Sequence, residues 1–515
     1  MTNTQQDLPN TTKPSRLRTD TLASSVLILI AVTVIQRTVG FGRGVLFCRW
    51  LTPDTLGQWE MTYSFLLLAA PLAVLGVPGS FGRYLEHFRQ RGHLHTFLRR
   101  TTLWTSVSAT LAVGIVIWFA PEFSYLLFRD YANVNLVRGI AVCLAAIIVH
   151  HTLTSLLVAL RLFRVVSAMN FAQSLMFAAL ALGLLCFNAN VASILIGYGI
   201  ACILASAGAI LWVGPALGDV EKPTEKLPQR EFWPQLIRFA FFVWLTNLLA
   251  HLFGIVDRYM LMHYSGMTYL EAQTQVGHYH SSRIVPLLII SFADLLSGLV
   301  MPHLSSDWEA GKREQVGRQL KFSLKLTSLG MLGFGVSVLL FAPWLFDGIL
   351  QGKYNDGLAV VPWAMAGCIW YGIFALAQNY LWCAEKTRLA TLPLAIGLVI
   401  NIALNLLLLP IWGLYGALVA TALSSLICLI TILLVSQRYG LPLDRGIWLT
   451  TLAPLSLPAG PTISAGVLSV LLLALAAKRL ILSAEEHAQL RRLLSESIRK
   501  IKPYLQRGAS VPGNA

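Results

Sequence analysis

Val34-Ile35-Gln36-Arg37-Thr38-Val39-Gly40-Phe41-Gly42-Arg43 lies inside an apolar run from Leu22 to Phe47. The run is long enough to cross a bilayer, whose hydrocarbon core asks for about 20 apolar residues. Two arginines inside it are expensive, at about 2.5–3.5 kcal/mol each in mid-helix unless something offsets the charge. Arg43 is near the end of the run, where a long side chain snorkels to the interface. Arg37 is ten residues in from Phe47 and has no such escape. Two readings remain for it. Either it packs against a neighbouring helix, or it faces a water-filled cavity and helps hold something anionic.

The rest of the chain agrees with a membrane setting. Of 515 residues, 56% are hydrophobic and only 12% charged, with a mean hydropathy of +0.65. That composition belongs to a polytopic membrane protein and excludes a soluble enzyme with one large core. The net charge of +15 invites a nucleic-acid reading. The distribution removes it, because Lys and Arg concentrate in alternate loops, as the positive-inside rule requires. The seven cysteines fall within or at the edge of apolar segments without paired spacing, so neither a disulfide framework nor a metal site is expected. No phosphate-binding glycine loop and no nucleophile–base arrangement is present; the chain reads as a non-enzyme with no cofactor.

Twelve spans are expected, at 22–48, 56–80, 101–121, 136–160, 167–187, 191–214, 236–263, 276–300, 322–346, 358–383, 391–411 and 413–436. Basic residues share a side with the N-terminus, at Arg83–Arg100, Arg161 and Arg164, Lys222–Arg238, Lys312–Lys321, and Lys386 and Arg388. This predicts a cytoplasmic N-terminus. Residues 1–20 read as a polar disordered leader, 21–216 as a first lobe, 217–234 as a charged linker and 235–437 as a second lobe. The lobes resemble each other. Phe119-Ala120-Pro121 repeats as Phe341-Ala342-Pro343, Gly57 as Gly277, and Gly92 as Gly311, at spacings of 222, 220 and 219 residues. A near-constant offset across several landmarks marks an internal repeat. With six spans per lobe the repeat is parallel, and a site is expected between the lobes. Beyond it, 446–478 is apolar but broken by Pro454, Pro458 and Pro461, and reads as a hairpin making spans 13 and 14. One unbroken span is the alternative; it would leave the basic tail, 479–515, outside. Ser483-Ala484-Glu485-Glu486 opens the tail as a capping box before an amphipathic stretch suited to anionic lipid.

The repeat offset pairs Arg37 of the first span with Asp257, beside Arg258, in the seventh. Opposite charges at matched depth suit a gate between lobes; the alternative is that Asp257 pairs locally. Arg43 and Glu60, at similar depth on consecutive spans, are expected to pair for structural reasons. Arg283 is a candidate to add positive charge to the cleft, and Asp294 to bind a proton or cation or to cap backbone. His150 and His151 are adjacent, so they point apart on a helix and form no bidentate metal site.

Four features together resemble the polysaccharide-flippase branch of the MATE-like superfamily. They are the six-plus-six repeat, Arg49-Trp50-Leu51-Thr52-Pro53-Asp54-Thr55-Leu56-Gly57, Val256-Asp257-Arg258, and Pro410-Ile411-Trp412-Gly413-Leu414-Tyr415-Gly416-Ala417. The resemblance implies an all-α fold whose two lobes alternate access to a central cavity. It also implies a lipid-linked oligosaccharide as substrate, with polysaccharide polymerase and glycosyltransferases as partners beside the membrane lipids. Lipid II flippases of that superfamily also use membrane-embedded arginines. The coupling ion, proton or sodium, is left open. A multidrug exporter of the same fold and a membrane assembly scaffold are the competing readings. Exporters usually present carboxylates to cationic drugs, whereas the first span here presents arginines.

Overall fold

A computed structural model describes residues 22–218, 229–476, 481–492 and 495. Residues 1–20, most of the linker and most of the amphipathic stretch past 492 lie outside the described residues. Among those described there is helix and no strand. Among the described residues, eight helices are long and apolar enough to cross a membrane by length and composition. The protein is an all-α, multi-pass membrane protein.

Contacts divide the chain into two units, 1–281 and 282–515. In the first, α1 (Leu22–Trp50) packs on α7 (Phe163–Leu185), which packs on α8 (Val191–Gly218). Helix α6 (Val134–Ala159) joins α8 to α4 (Leu94–Trp118), and α2 (Pro53–Ala73) lies along α9 (Gln229–Tyr264). Three shorter helices complete this unit: α3 (Phe81–Gln90), α5 (Ala120–Phe128) and α10 (Tyr269–Arg283), whose last two residues fall in the second unit. Helix α2 starts where a start is written in the sequence. Thr52 is the cap, Pro53 occupies the first turn, and Asp54 complements the helix dipole. It ends earlier than the expected second span. Leu75 (φ 46°) and Gly76 (φ 71°) both turn left-handed, and a short 3₁₀ turn, Val77–Ser80, leads into α3.

The second unit is built around α13 (Asn355–Cys383), which packs against α11 (Pro286–Glu309), α12 (Arg313–Pro343) and α14 (Thr387–Arg438). The expected eighth span, 276–300, is two helices broken at 284–285. Pro286 explains the break: it has no N–H to continue the helix that precedes it, and it is well placed in the first turn of a new one. Helix α14 is itself bent at Gly413 (φ 52°, ψ −129°), between the expected eleventh and twelfth spans.

The C-terminal addition is α15 (Arg445–Leu452), a 3₁₀ stretch Ala453–Ala459, and α16 (Pro461–Ala476). Its two ends meet on one side chain. Lys325 of α12 is fully buried and donates to Asp444 Oδ2 at 2.6 Å, the Ile481 carbonyl at 2.8 Å and Glu486 Oε2 at 3.0 Å. Segment 444–481 therefore leaves Lys325 and returns to it. Helix capping builds both carboxylates into place. Asp444 caps α15 by accepting from the Ile447 N–H (3.0 Å), and Glu486 accepts from the Ser483 N–H (2.7 Å) while Ser483 Oγ accepts from the Glu486 N–H (3.2 Å). A Cβ on Gly446 would overlap the Ile481 carbonyl, so only glycine lets these two ends approach.

Candidate functional site

The site grows from a close crossing of α2 and α10. A Cβ on Gly57 would overlap the Gln273 carbonyl oxygen, and one on Gly277 would overlap the Pro53 carbonyl oxygen. Gln273 Nε2 also donates to the Asp54 carbonyl at 2.9 Å. The crossing is reciprocal: each glycine meets the residue four before the other glycine, and the two glycines are a repeat pair.

One helical turn further on, Glu60 and His280 share a face with those glycines and meet each other. Glu60 Oε2 lies 2.6 Å from His280 Nδ1, and Glu60 Oε1 lies 2.6 Å from Arg258 Nε of α9. The Arg258 contact is ionic rather than a directed hydrogen bond, since its N–H does not aim at the oxygen. Glu60 is 3% exposed and Arg258 8%, so the attraction acts in a medium far less screening than water. The Arg258 guanidinium also sits 5.3 Å over the Tyr279 ring. Tyr279 donates its hydroxyl to Asp257 Oδ2 at 2.7 Å, and both residues are fully buried. Three helices thus converge on one buried cluster of two carboxylates, a guanidinium, an imidazole and a phenol.

Only part of the sequence-predicted set gathers here: Glu60, Asp257 and Arg258. Arg43 does not pair with Glu60, and this expectation is corrected. Arg43 instead lies 4.1 Å over the Phe177 ring. Phe47, Trp59, Tyr63, Phe177 and Tyr198 pack on one another around that position, with ring centroids 4.7–6.4 Å apart. Ring faces supply the negative potential that a carboxylate was expected to supply, while Glu60 turns toward α9 and α10. Arg37 and Asp257 do not meet either. Arg37 is exposed and has no ion-pair partner among the described residues, whereas Asp257 is enclosed with Tyr279. Arg37 lies within electrostatic reach of Tyr63 on α2.

The remaining candidates sit elsewhere. In the second unit, Arg283 is buried within hydrogen-bonding reach of Cys368, and both it and Asp294 act electrostatically on Tyr371. His150 is buried, with Nδ1 3.3 Å from Ser206 Oγ, while His151 on the same helix is exposed to a cavity. No group of metal-ligating side chains is found among the described residues. Sequence reasoning missed His280. The signal was present, since the 220-residue offset carries Glu60 onto it.

A search of curated proteins returns no match. Among solved structures, the chain is similar to the lipid II flippase MurJ in an inward closed conformation. The TM-score is 0.67 at 15% identity, covering 86% of this chain and 97% of that one. It is also similar to a multidrug resistance MATE family transporter of the MOP superfamily in an inward-facing conformation (TM-score 0.63, 14% identity, 80% and 98% covered). A third likeness is to a MOP superfamily transporter from Pyrococcus furiosus (0.59, 12%, 84% and 99%). These likenesses give the fold, a membrane-transporter fold. The polysaccharide biosynthesis protein family matches residues 22–293, more than half of the chain, and the chain belongs to that family.

Proposed function

We propose that the protein flips a lipid-linked oligosaccharide, an isoprenoid-pyrophosphate glycan, across the bacterial cytoplasmic membrane for surface polysaccharide synthesis. The observation that carries this reading is Arg37, an exposed cation on α1, the expected first span, with no carboxylate partner among the described residues. Such a charge is tolerated where water or a mobile anion meets it, and a pyrophosphate is an anion of that kind. The isoprenoid tail stays in lipid while the two lobes alternate access. Glycosyltransferases supply the cargo and a polymerase receives it.

Carboxylate availability argues against a cation-drug exporter. Glu60 is engaged by Arg258 and His280, and Asp257 by Tyr279, so neither presents a bare carboxylate to a cationic drug. The hairpin geometry supports a cytoplasmic tail. Asp444 and Glu486 meet at the same lysine, so segment 444–481 begins and ends on one side of the membrane, the side of the basic loops.

The test is Arg37→Ala beside Arg37→Lys, read as flipping of a fluorescent lipid-linked oligosaccharide in proteoliposomes and as surface polysaccharide in cells. Alanine is expected to abolish both while the protein inserts normally, and lysine to restore part. Wild-type flipping by the alanine variant would overturn the proposal.

A further inference from the structure

A cavity of about 230 Å³ lies within the first unit between α2, α6 and α9, separate from the Glu60 cluster. Its polar wall comes from two helix faces. Helix α9 contributes Trp244, Asn247 and His251, spaced three and four residues apart and so on one stripe. Helix α6 contributes His151, Thr152 and Ser155. Helix α6 is apolar enough to span a bilayer. A polar stripe on such a helix marks a lumen rather than a lipid face.

Two donors in this wall are unsatisfied. Trp244 Nε1 and Thr152 Oγ1 are buried atoms with no hydrogen-bond partner among the described residues. Each departs from habit. A buried indole N–H ordinarily finds an acceptor, and a helical hydroxyl ordinarily turns back to the carbonyl one turn earlier. Thr154 and Ser155 do so, donating to the His150 and His151 carbonyls at 2.8 and 3.0 Å. Thr152 does not. Buried polar groups left without partners in a native protein call for an explanation, and here both border the same cavity.

The third wall is α2 and the turn that follows it, through Pro71, Val74 and Gly76; between the last two, Leu75, outside the lining, holds a left-handed φ of 46° just before Gly76 at 71°. A bulky side chain in that region is strained, and such strain gathers at ligand sites. Gly76 itself lines the cavity.

The lining contains no Lys, Arg, Asp or Glu. It is not a pyrophosphate site. Uncharged donors and acceptors beside an indole ring match the chemistry of a sugar: hydroxyls to be hydrogen-bonded and an apolar ring face to be covered. The volume lies below the roughly 300–1,000 Å³ usual for drug-sized ligands, and suits one ring rather than a chain. We propose that this cavity binds one uncharged sugar ring of the transported glycan lipid and so selects cargo by its sugar. This rests on the flippase reading above.

The test uses the full-length protein in lipid nanodiscs. Equilibrium binding is measured for a bare isoprenoid pyrophosphate and for a panel of the same lipid carrying one neutral hexose or one N-acetylhexosamine. The free monosaccharides serve as competitors. Wild type is expected to bind at least one sugar-bearing lipid about tenfold more tightly than the bare lipid. Thr152→Val, Trp244→Phe and Asn247→Ala are each expected to shrink that preference to about twofold while leaving bare-lipid affinity unchanged, since each removes one uncharged hydrogen-bonding group. Thr152→Val is nearly isosteric and guards against misfolding. Competition by free sugar alone, with no preference among lipids, would overturn the lipid-borne source. Variants that weaken both lipid classes equally, or leave the preference intact, would overturn the site. Wild type that binds bare lipid without sugar preference would remove this inference and leave the flippase reading standing. Wild type that binds none of the lipids would remove both.

Discussion

Gly57 and Gly277 face each other across the α2–α10 crossing so closely that neither position has room for a Cβ. Glu60 and His280 make their 2.6 Å contact one turn further along the same two helices. The glycines permit the approach and the charged groups use it. Both pairs are repeat-related positions.

Alanine at either glycine should therefore force the helices apart. Because the obstacles are backbone carbonyls, which cannot rotate away, the cost is expected at or above the roughly 1–3 kcal/mol typical of overpacking. Gly57→Ala and Gly277→Ala should lower the thermal midpoint in detergent and weaken transport. Gly114→Ala, where nothing lies within 4 Å of a new Cβ, should be silent. Equal stability across all three variants would show that the crossing is looser than its backbone geometry implies.

Removing Glu60 strands Arg258 in a buried setting. Breaking a buried pair from one side costs about 3–5 kcal/mol, more than removing both members. Glu60→Ala should be strongly destabilising, and adding Arg258→Met should recover part of the loss. A double-mutant cycle on thermal unfolding checks this; strictly additive effects would mean that the two residues do not interact.

Lys325 holds both ends of segment 444–481. Lys325→Met keeps the length of the side chain but leaves Asp444 and Glu486 facing only Lys321, at 3.1 and 3.5 Å. The region around residue 481 should then loosen, and limited trypsin digestion should cut after Lys478 or Arg479 faster than in wild type. Unchanged digestion would show that apolar packing alone seats this segment.

Asp444 gives this clasp a pH dependence. Burial pushes its carboxyl up, but hydrogen bonds from Lys325 and from the Ile447 N–H, with Lys321 adding to them, outweigh burial and hold it below the usual carboxylate range. A depressed carboxyl stabilises the folded state above its unfolded value of about 3.9 and loses that contribution as pH falls through its folded value. Tryptic release of the tail region should thus stay flat from neutral to mildly acidic preincubation and rise only after exposure below about pH 4. Asp444→Asn should remove this acid step. A step near pH 6 would implicate a histidine instead.

The sequence by itself determined that the chain is a multi-span helical membrane protein with an internal repeat. Apolar length, basic flanks and a constant offset are local or linear properties, and they survive without knowledge of packing. It also named Glu60, Asp257 and Arg258, because charge inside an apolar run is conspicuous wherever it points. Tertiary structure alone decided their partners. Glu60 had two basic residues at plausible depth, Arg43 and Arg258, and met the second because α2 lies along α9, while the glycine crossing brings His280 of α10 to its other oxygen. Arg43 found aromatic faces instead, and the unsatisfied Trp244 and Thr152 became visible only once the fold set α6 and α9 around one cavity. Coulomb attraction and hydrogen bonding act over a few ångströms, so helix packing, rather than the spacing of residues along the chain, selects which polar groups meet.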